Sequence, residues 1–387
     1  MGARQHLAII GDGAVAAAFL SVARLVPGDR LTLIGPNVHR FGAGRFYADH
    51  DARHPWRLAY LLDRPNGEMT EGFADWLAAE WPVLLPEIAV AQPLHVRRWS
   101  EALSEGAFGD FAAPRAIYGR YLARRSSERL AKLVEDGVQV QLITGLATDL
   151  SRADDQFRIT LASGEVIKAD RVDVATGGPA NQRFGVDAGP TAFTTLYDNE
   201  EAIARVLKPG WEVTCLGAST EVLDVMHFLR AAWPTQELRL RVLRDRATPA
   251  LDGDPEYHRL RAAGRIVEEV GRPIWVYAES AGNVRLRITG KECQSQEKTV
   301  PLAINTAGPG DQLLVDILIS GMIAKGWLKL NSAQNRIDVG ARFATDMDGV
   351  RYASDAVAIL NRRPEGVVRQ RVEELVGSFE GDPIETA

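Results

Sequence analysis

The residues best placed for chemistry in this sequence begin at its eleventh position. Gly11, Gly13 and Ala16 stand in "LAIIGDGAVAAAFL", residues 7–20, at the spacing G-x-G-x-x-A. Each residue type there suits the binding of a dinucleotide. Gly11 permits a tight turn after a strand, Gly13 leaves no side chain between the backbone and a pyrophosphate, and Ala16 lets the following helix lie close to the strand. Ala14 opens that helix, whose N–H groups and positive dipole end would face the phosphates. The context supports the motif: an apolar strand over 7–10 precedes it and an Ala-rich helix over about 14–25 follows.

Other side chains offer chemistry with a plainer reading beside it. Asp63 could orient a substrate ammonium or serve as a base, or simply end a turn before Pro65. His54 and Trp56, in "DARHPWRLAY", could line a pocket, or be a loop histidine and a packed indole. Arg40, Arg45, Arg53, Arg57 and Arg64 form an Arg-rich stretch. Guanidinium groups match phosphate and carboxylate in two-pronged fashion, and the alternative is a solvated surface. Arg120, Arg124 and Arg125 read as a solvated helix face or ion pairs, and His227 as a core or surface histidine. The acids of "DGDPEYH", 252–258, make a turn rather than a metal site, because Gly, Asp and Pro favour turns. Two cysteines, Cys215 and Cys293, are too few and too far apart for a zinc site or disulfide framework. No metal site is expected.

The elements that must position these residues read as α/β. After the first strand and helix, "RLTLIG" (30–35) is a second strand, completing a βαβ unit. A ribose-binding fold of this kind usually ends that strand in Asp or Glu; here Gly35 stands there, followed by Pro36, with His39 and Arg40 nearby to meet a phosphate. From about 70 to 135 the apolar spacing is helical. "VQVQLITG", "FRITLAS" and "EVIKADRVDVATG" follow, read as a small antiparallel meander returning to a parallel sheet. A second strand–turn–helix cycle begins at Val213, with Gly217 at the turn and Ser219 where a second glycine would stand.

Composition bounds the partners. The chain has 387 residues, 46% hydrophobic and 25% charged, and a formal charge of −6. That balance argues for a small-molecule substrate and against nucleic acid or an anionic membrane; a homo-oligomer is compatible with it. With no basic, apolar leader and no run approaching the ~18 apolar residues of a membrane span, the expected location is cytoplasmic.

Seven segments together, "IIGDGAVAAAF", "FGAGRFY", "AYLLDRPNGEMTEGFADWL", "PRAIYGRYL", "DVATGGP", "LGASTEVLD" and "INTAGPGD", resemble the bacterial FAD-NAD(P)-binding protein family, related to flavin-dependent amino-acid N-hydroxylating monooxygenases. The resemblance implies two Rossmann-like dinucleotide-binding domains, the second inserted in the first. The FAD-binding domain would span 1–187 and 306–387 with a helical insertion at 70–135, and the NAD(P)-binding-like domain 188–305. Gly11, Gly13, Ala14 and Ala16 would hold the FAD pyrophosphate, with Gly42, Gly44 and Tyr47 on its far side. Leu61 to Met69, Leu62 among them, would pack beside the isoalloxazine, Arg115 and Tyr118 would buttress the adenine end, and Ala175, Thr176 and Gly177 would close the strand. Gly217, Ser219 and Thr220 would be the turn for NADPH or NADH.

Asp63-Arg64 departs from the Asn-Val that the family usually carries. Gly35, Ser219 and the tail "DAVAILNRRPEG" are further departures, and all point to weaker cofactor affinity. The activity implied is that of an FAD-dependent, NAD(P)H-dependent monooxygenase acting on a small amine or amino acid. Two alternatives stay open: an NADP-dependent dehydrogenase without flavin, and a non-catalytic dinucleotide-binding partner protein.

Overall fold

The computed structural model describes residues 4–49, 55–177, 189–244, 254–278, 282–289, 294–307, 316–331, 336–354 and 357–358. In chain order, β1 (His6–Ile10) leads into α1 (Ala14–Ser21) and β2 (Arg30–Gly35). Short 3-10 turns at Val38–Arg40, Pro55–Ala59 and Asn66–Glu68 precede three helices, α2 (Phe73–Ala91), α3 (Pro93–Ser104) and α4 (Arg115–Glu135). Five strands follow: β3 (Gln139–Thr144), β4 (Ala147–Ala153), β5 (Gln156–Leu161), β6 (Val166–Ala169) and β7 (Arg171–Val174). Next come β8 (Ala192–Phe193), α5 (Glu200–Val206), β9 (Val213–Leu216), α6 (Glu221–Ala232), β10 (Leu240–Arg244), α7 (Pro255–Ala262) and β11 (Ile266–Val270). The strands β12 (Arg272–Ala278), β13 (Val284–Thr289), β14 (Ser295–Val300) and β15 (Leu302–Ile304) lead to α8 (Ile317–Ala324). The short strands β16 (Lys329–Leu330), β17 (Ile337–Asp338), β18 (Val350–Tyr352) and β19 (Val357–Ala358) end the described chain.

The chain divides into two compact units, residues 1–48, 118–179 and 311–387, and residues 49–117 and 180–310. The first holds a parallel sheet of order β18-β7-β1-β2-β3, in which Leu7 lies opposite Leu31 and Arg171. Both faces of this sheet are buried, so its central strands read as continuous apolar runs. Ile9, Leu31 and Leu33 pack with Ala16 to Leu20 of α1, while Ala8, Ile10, Val172 and Val174 pack with the β4-β5-β6 meander and α8. Arg351 pins the edge strand β18 by reaching Asp173 of β7 with two bonds of 2.6 and 2.5 Å.

The second unit has its own parallel sheet, β11-β10-β9-β15-β8, and an antiparallel sheet β12-β13-β14. Val213, Cys215, Leu302 and Ile304 pack against the apolar side of α6, which includes Val222, Val225 and Phe228. The fold is thus α/β with two Rossmann-like parallel sheets, the strands of the second falling in sequence between β7 and α8 of the first.

Several local expectations change. The segment 139–144 is not part of the meander: β3 pairs in parallel with β2, and the meander is β4-β5-β6, whose first strand carries the mixed sequence "ATDLSRA". Residues 49–117, expected with the first domain, group with 180–310. Buried ion pairs, described below, and the packing of Trp56 and Tyr60 join the two segments of that unit. Among the described residues no helix is long and apolar enough to cross a membrane.

Candidate cofactor site

The turn at Gly11 is built from backbone. Gly11 has φ +118°, a left-handed conformation that side chains disfavour, and a Cβ there would lie 2.1 Å from the Ala175 carbonyl oxygen. Its N–H donates to Ile34 O at 2.8 Å, and Ala175 N donates to Ile10 O at 2.7 Å. Strands β1, β2 and β7 therefore meet at this residue. Gly13 then starts α1 in extended backbone, with no side chain capping the helix and no acid in its first turn. The first N–H groups of a helix have no partner within it, so this end presents donors and a positive dipole end for an anion.

The space in front of Gly13 is open. Among the described residues a Cβ there would meet only the Gly44 Cα, at 4.0 Å. The loop "FGAGRFY" crosses the turn: Gly42 N and Gly44 N donate to Asp12 O at 2.8 and 3.2 Å, and a Cβ on Gly44 would come within 2.8 Å of the Gly13 Cα. On its other side the loop rests on α4, where a Cβ on Gly42 would lie 2.9 Å from Ser126 Oγ and one on Gly119 only 1.8 Å from Tyr47 O. Tyr47 meets Tyr118 edge to face, with centroids 5.0 Å apart.

The strand β7 ends at this turn in Ala175, Thr176 and Gly177, and the buried Thr176 Oγ1 has no hydrogen-bond partner among the described residues. A buried hydroxyl left unmade costs about 1–3 kcal/mol, which a ligand oxygen would relieve. Gly11, Gly13, Ala14, Ala16, Gly42, Gly44, Tyr47, Ala175, Thr176 and Gly177 all lie in the first unit. The uncapped helix, the open space at Gly13 and the orphaned Thr176 hydroxyl fit a dinucleotide pyrophosphate.

The remaining expected positions belong to the second unit. Leu62 is buried and its N–H donates to Ala113 O at 2.9 Å. Asn66 ties the same loop down, donating to Phe108 O at 2.9 Å and accepting from Ala113 N at 3.0 Å. Arg115, expected at the adenine, is instead committed inside this unit. Its Nη1 lies 2.7 Å from Asp224 Oδ2 and 3.0 Å from the Tyr197 hydroxyl, and its Nε donates to Leu61 O at 2.9 Å. Tyr197 in turn donates to Asp224. Burial raises the Asp224 carboxyl to about 6, against the pull of Arg115 and Tyr197.

A second buried group stands beside it. Arg57 lies 2.8 Å from Asp198 and 3.0 Å from Glu200, so this member of the Arg-rich stretch is an internal counter-charge and not part of a surface. Arg40 and Arg45 are exposed; Arg53 and His54 lie outside the described residues. Trp56 packs edge to face on Phe228 at 5.2 Å, and Asp63 is exposed.

The second strand–turn–helix repeats the first in backbone but not in charge. Gly217 has φ +124°, and a Cβ there would lie 2.2 Å from the Ala307 Cα. Here, however, Ser219 N donates to Thr306 O at 3.2 Å, and Ser219 Oγ accepts from Glu221 N at 3.3 Å. Glu221 and Asp224 put two acids into the first turn of α6. The Glu221 carboxylate accepts from Leu196 N and the Thr195 hydroxyl, each at 2.8 Å. Gly217, Ser219 and Thr220 therefore fit a pyrophosphate less well than residues 11–16, since both the negative charge and the Ser219 side chain oppose it.

The other candidates take structural places. Asp254 caps α7 by accepting Tyr257 N at 2.8 Å, Arg124 pairs with Glu128 at 3.0 Å, and Arg125 donates to the Tyr121 hydroxyl at 2.8 Å. His227 and Cys215 are buried, and burial pushes the imidazole down and the thiol up. Among the described residues no cluster could hold a metal. Two residues that shape the cradle went unnoticed in the sequence, Asp12 and Gly119. An acid inside G-x-G paired with a glycine at the end of β2 was the available signal for the first; nothing local marked the second.

Comparison with known proteins places the chain among dinucleotide-binding folds. No curated protein matches it in sequence. Its structure is similar to that of the lysine monooxygenase from Nocardia farcinica, at 12% identity and TM-score 0.59, covering 96% of this chain and 99% of that one. The FAD-bound cadaverine monooxygenase from Erwinia amylovora matches at 12% identity and TM-score 0.59, covering 97% and 92%. A bacillithiol disulfide reductase from Staphylococcus aureus is as similar, at 12% identity and TM-score 0.59, covering 97% of each chain. At such identities these likenesses speak for the fold. In sequence, residues 8–179 match the model of the FAD-NAD(P)-binding family, a span that holds every element of the Gly11 cradle. Over residues 8–179 the chain is thus similar to the FAD-NAD(P)-binding family.

Proposed function

We propose that the chain is a flavin-dependent oxidoreductase that binds FAD through the Gly11–Ala16 turn, the 42–47 loop and Ala175–Gly177, draws its electrons from NADPH or NADH, and acts as a monooxygenase on a small amine or amino acid. The observation that carries the flavin part is the first-unit cradle, where an uncapped helix start, an open Gly13 and an unpartnered Thr176 hydroxyl converge. When bound, the flavin would supply hydride acceptance and reaction with oxygen. This chain's own contribution is to bind and orient. The α1 amides would hold the pyrophosphate, Gly44 would keep the loop close without a side chain, and Thr176 would donate to a ligand oxygen.

The finer reading, oxygenase over disulfide reductase, is supported by the cysteines. Cys215 is fully buried in β9 with its thiol held protonated, and Cys293 is 78 positions away, so the sequence carries no pair at the close spacing of a dithiol motif. Gly217, Ser219 and Thr220 are the candidate positions for NAD(P)H. Their charge pattern is the less favourable of the two turns.

The test is the visible spectrum of the purified protein, before and after adding FAD and then NADPH or NADH under air. Flavin bands that bleach with the nicotinamide and return with oxygen support the reading, and substrate amines that raise oxygen uptake while yielding a hydroxylated product support the oxygenase. A folded, colourless protein that takes up no FAD overturns it, in favour of the flavin-free dehydrogenase or the non-catalytic protein.

A further inference from the structure

The missing acid at the end of β2 leaves a gap that another residue fills. A Cβ built on Gly35 would lie 2.9 Å from both the Cβ and the Oδ2 of Asp12, so the Asp12 side chain occupies the space into which residue 35 would project. The carboxylate is pinned there, because Oδ2 accepts the Asn37 N–H at 2.5 Å. Its backbone is fixed as well, with the carbonyl accepting from Gly42 and Gly44. Among the described residues no Lys or Arg pairs with it, and at 8% exposure it is an acid with little water. Burial holds its carboxyl above the usual range, while the Asn37 amide pulls the other way. A buried carboxylate in this position calls for further donors. The chain places it two residues before the start of α1, where the cradle would seat the pyrophosphate, and hence within a sugar's reach of it.

We propose that Asp12 is the ribose acid of this protein, moved from the end of β2 to the turn after β1, and that Gly35 is glycine because Asp12 has taken its place. This rests on the FAD reading above and deepens it. The hydroxyls of the adenosine ribose donate to Asp12, and a nucleotide bearing a 2′-phosphate is repelled by the same carboxylate. The first unit therefore selects FAD over an NADP-type nucleotide, and the loss of an acid at position 35 does not weaken the cofactor site.

The experiment is titration of the flavin-free full chain with FAD by flavin fluorescence, and competition by ADP-ribose and by its 2′-phosphorylated form. Wild type binds FAD and prefers ADP-ribose. Asp12→Asn keeps the volume and the acceptor for Asn37 but removes the charge; it weakens FAD about tenfold or more, the size expected for hydrogen bonds to a charged group, and narrows the preference against the 2′-phosphate. The exchange Asp12→Gly/Gly35→Asp returns the acid to β2 and binds FAD more tightly than Asp12→Gly alone. Circular dichroism establishes that each variant is folded. An Asp12→Asn protein with wild-type FAD affinity, or a wild type that takes both competitors equally, overturns the role of Asp12 and leaves the flavin reading standing. A folded wild type that binds no FAD overturns both.

Discussion

Replacing Arg115 by Met should unfold the second unit more easily, and more so as pH rises. The Arg115 guanidinium is 11% exposed and lies 2.7 Å from Asp224, itself 2% exposed. Even with that partner, burial lifts the Asp224 carboxyl from 3.8 to about 6. A carboxyl raised on folding favours the folded state fully below 3.8, and that contribution is lost as pH rises to about 6. At roughly 1.4 kcal/mol per unit, this amounts to ~3 kcal/mol of opposition to folding at neutral pH, already offset elsewhere in the native protein. Without Arg115 the carboxyl climbs further and the window of loss extends upward. Breaking a buried pair from one side costs about 3–5 kcal/mol. Urea unfolding followed at pH 5 and at pH 8 measures this: the gap between wild type and variant should widen towards pH 8, and Arg115→Met/Asp224→Asn should recover much of it. A gap below about 1 kcal/mol at pH 8, or one that does not change with pH, would refute the account of Asp224 as a charged group dependent on Arg115.

Further outcomes follow from single positions. Gly11→Ala, with its Cβ 2.1 Å from Ala175 O and φ +118°, should lower thermal stability by several kcal/mol, on the order of the largest point effects. Among the described residues Gly13→Ala meets no atom closer than 4.0 Å; it should melt within about 0.5 kcal/mol of wild type yet lose most of its FAD affinity in the same fluorescence titration. Cys215, wholly buried with its thiol pushed up, should resist iodoacetamide in the folded protein and become labelled only in denaturant, as read by peptide mass mapping. His227 is kept neutral by burial, its pKa held below 6.5. The stability it contributes is present above 6.5 and lost as pH falls through the folded value, so His227→Gln should flatten the acid side of the pH–stability curve measured by thermal melts.

The first cradle was legible because each of its demands is written in residue type. Gly11, Gly13 and Ala16 carry the turn, and the strand before them is apolar because both its faces are covered. Other features depend on partners distant in sequence. Nothing near Arg57 or Arg115 announces Asp198, Glu200 or Asp224, which lie more than a hundred positions on, so Arg57 reads as an anion ligand or a surface residue and Arg115 as a cofactor contact, and neither reads as a buried counter-charge. β4 escaped notice because "ATDLSRA" mixes polar residues into a strand whose alternation is weak. The antiparallel β12-β13-β14 sheet was likewise missed: charged residues stand between the apolar ones of β13, β14 is mostly polar, and β12, though apolar, carries Pro273. Gly35 reads as a missing acid from its place at the end of β2, but which side chain fills the space beside it is visible only in the structure.

The contact between Gly119 and Tyr47 sets how the 41–47 loop can change over time. Because the loop's carbonyl seats in a notch that only a glycine in α4 can provide, and its other edge touches Gly13 through Gly44, the path of its backbone is fixed from both sides. Arg45 and Phe46, by contrast, are exposed, the latter at 56%. Selection acting on this loop thus meets two exposed positions whose side chains can change while both backbone seats stay as they are, and a mutational library confined to 45 and 46 would vary the surface without the cost of rebuilding the fold.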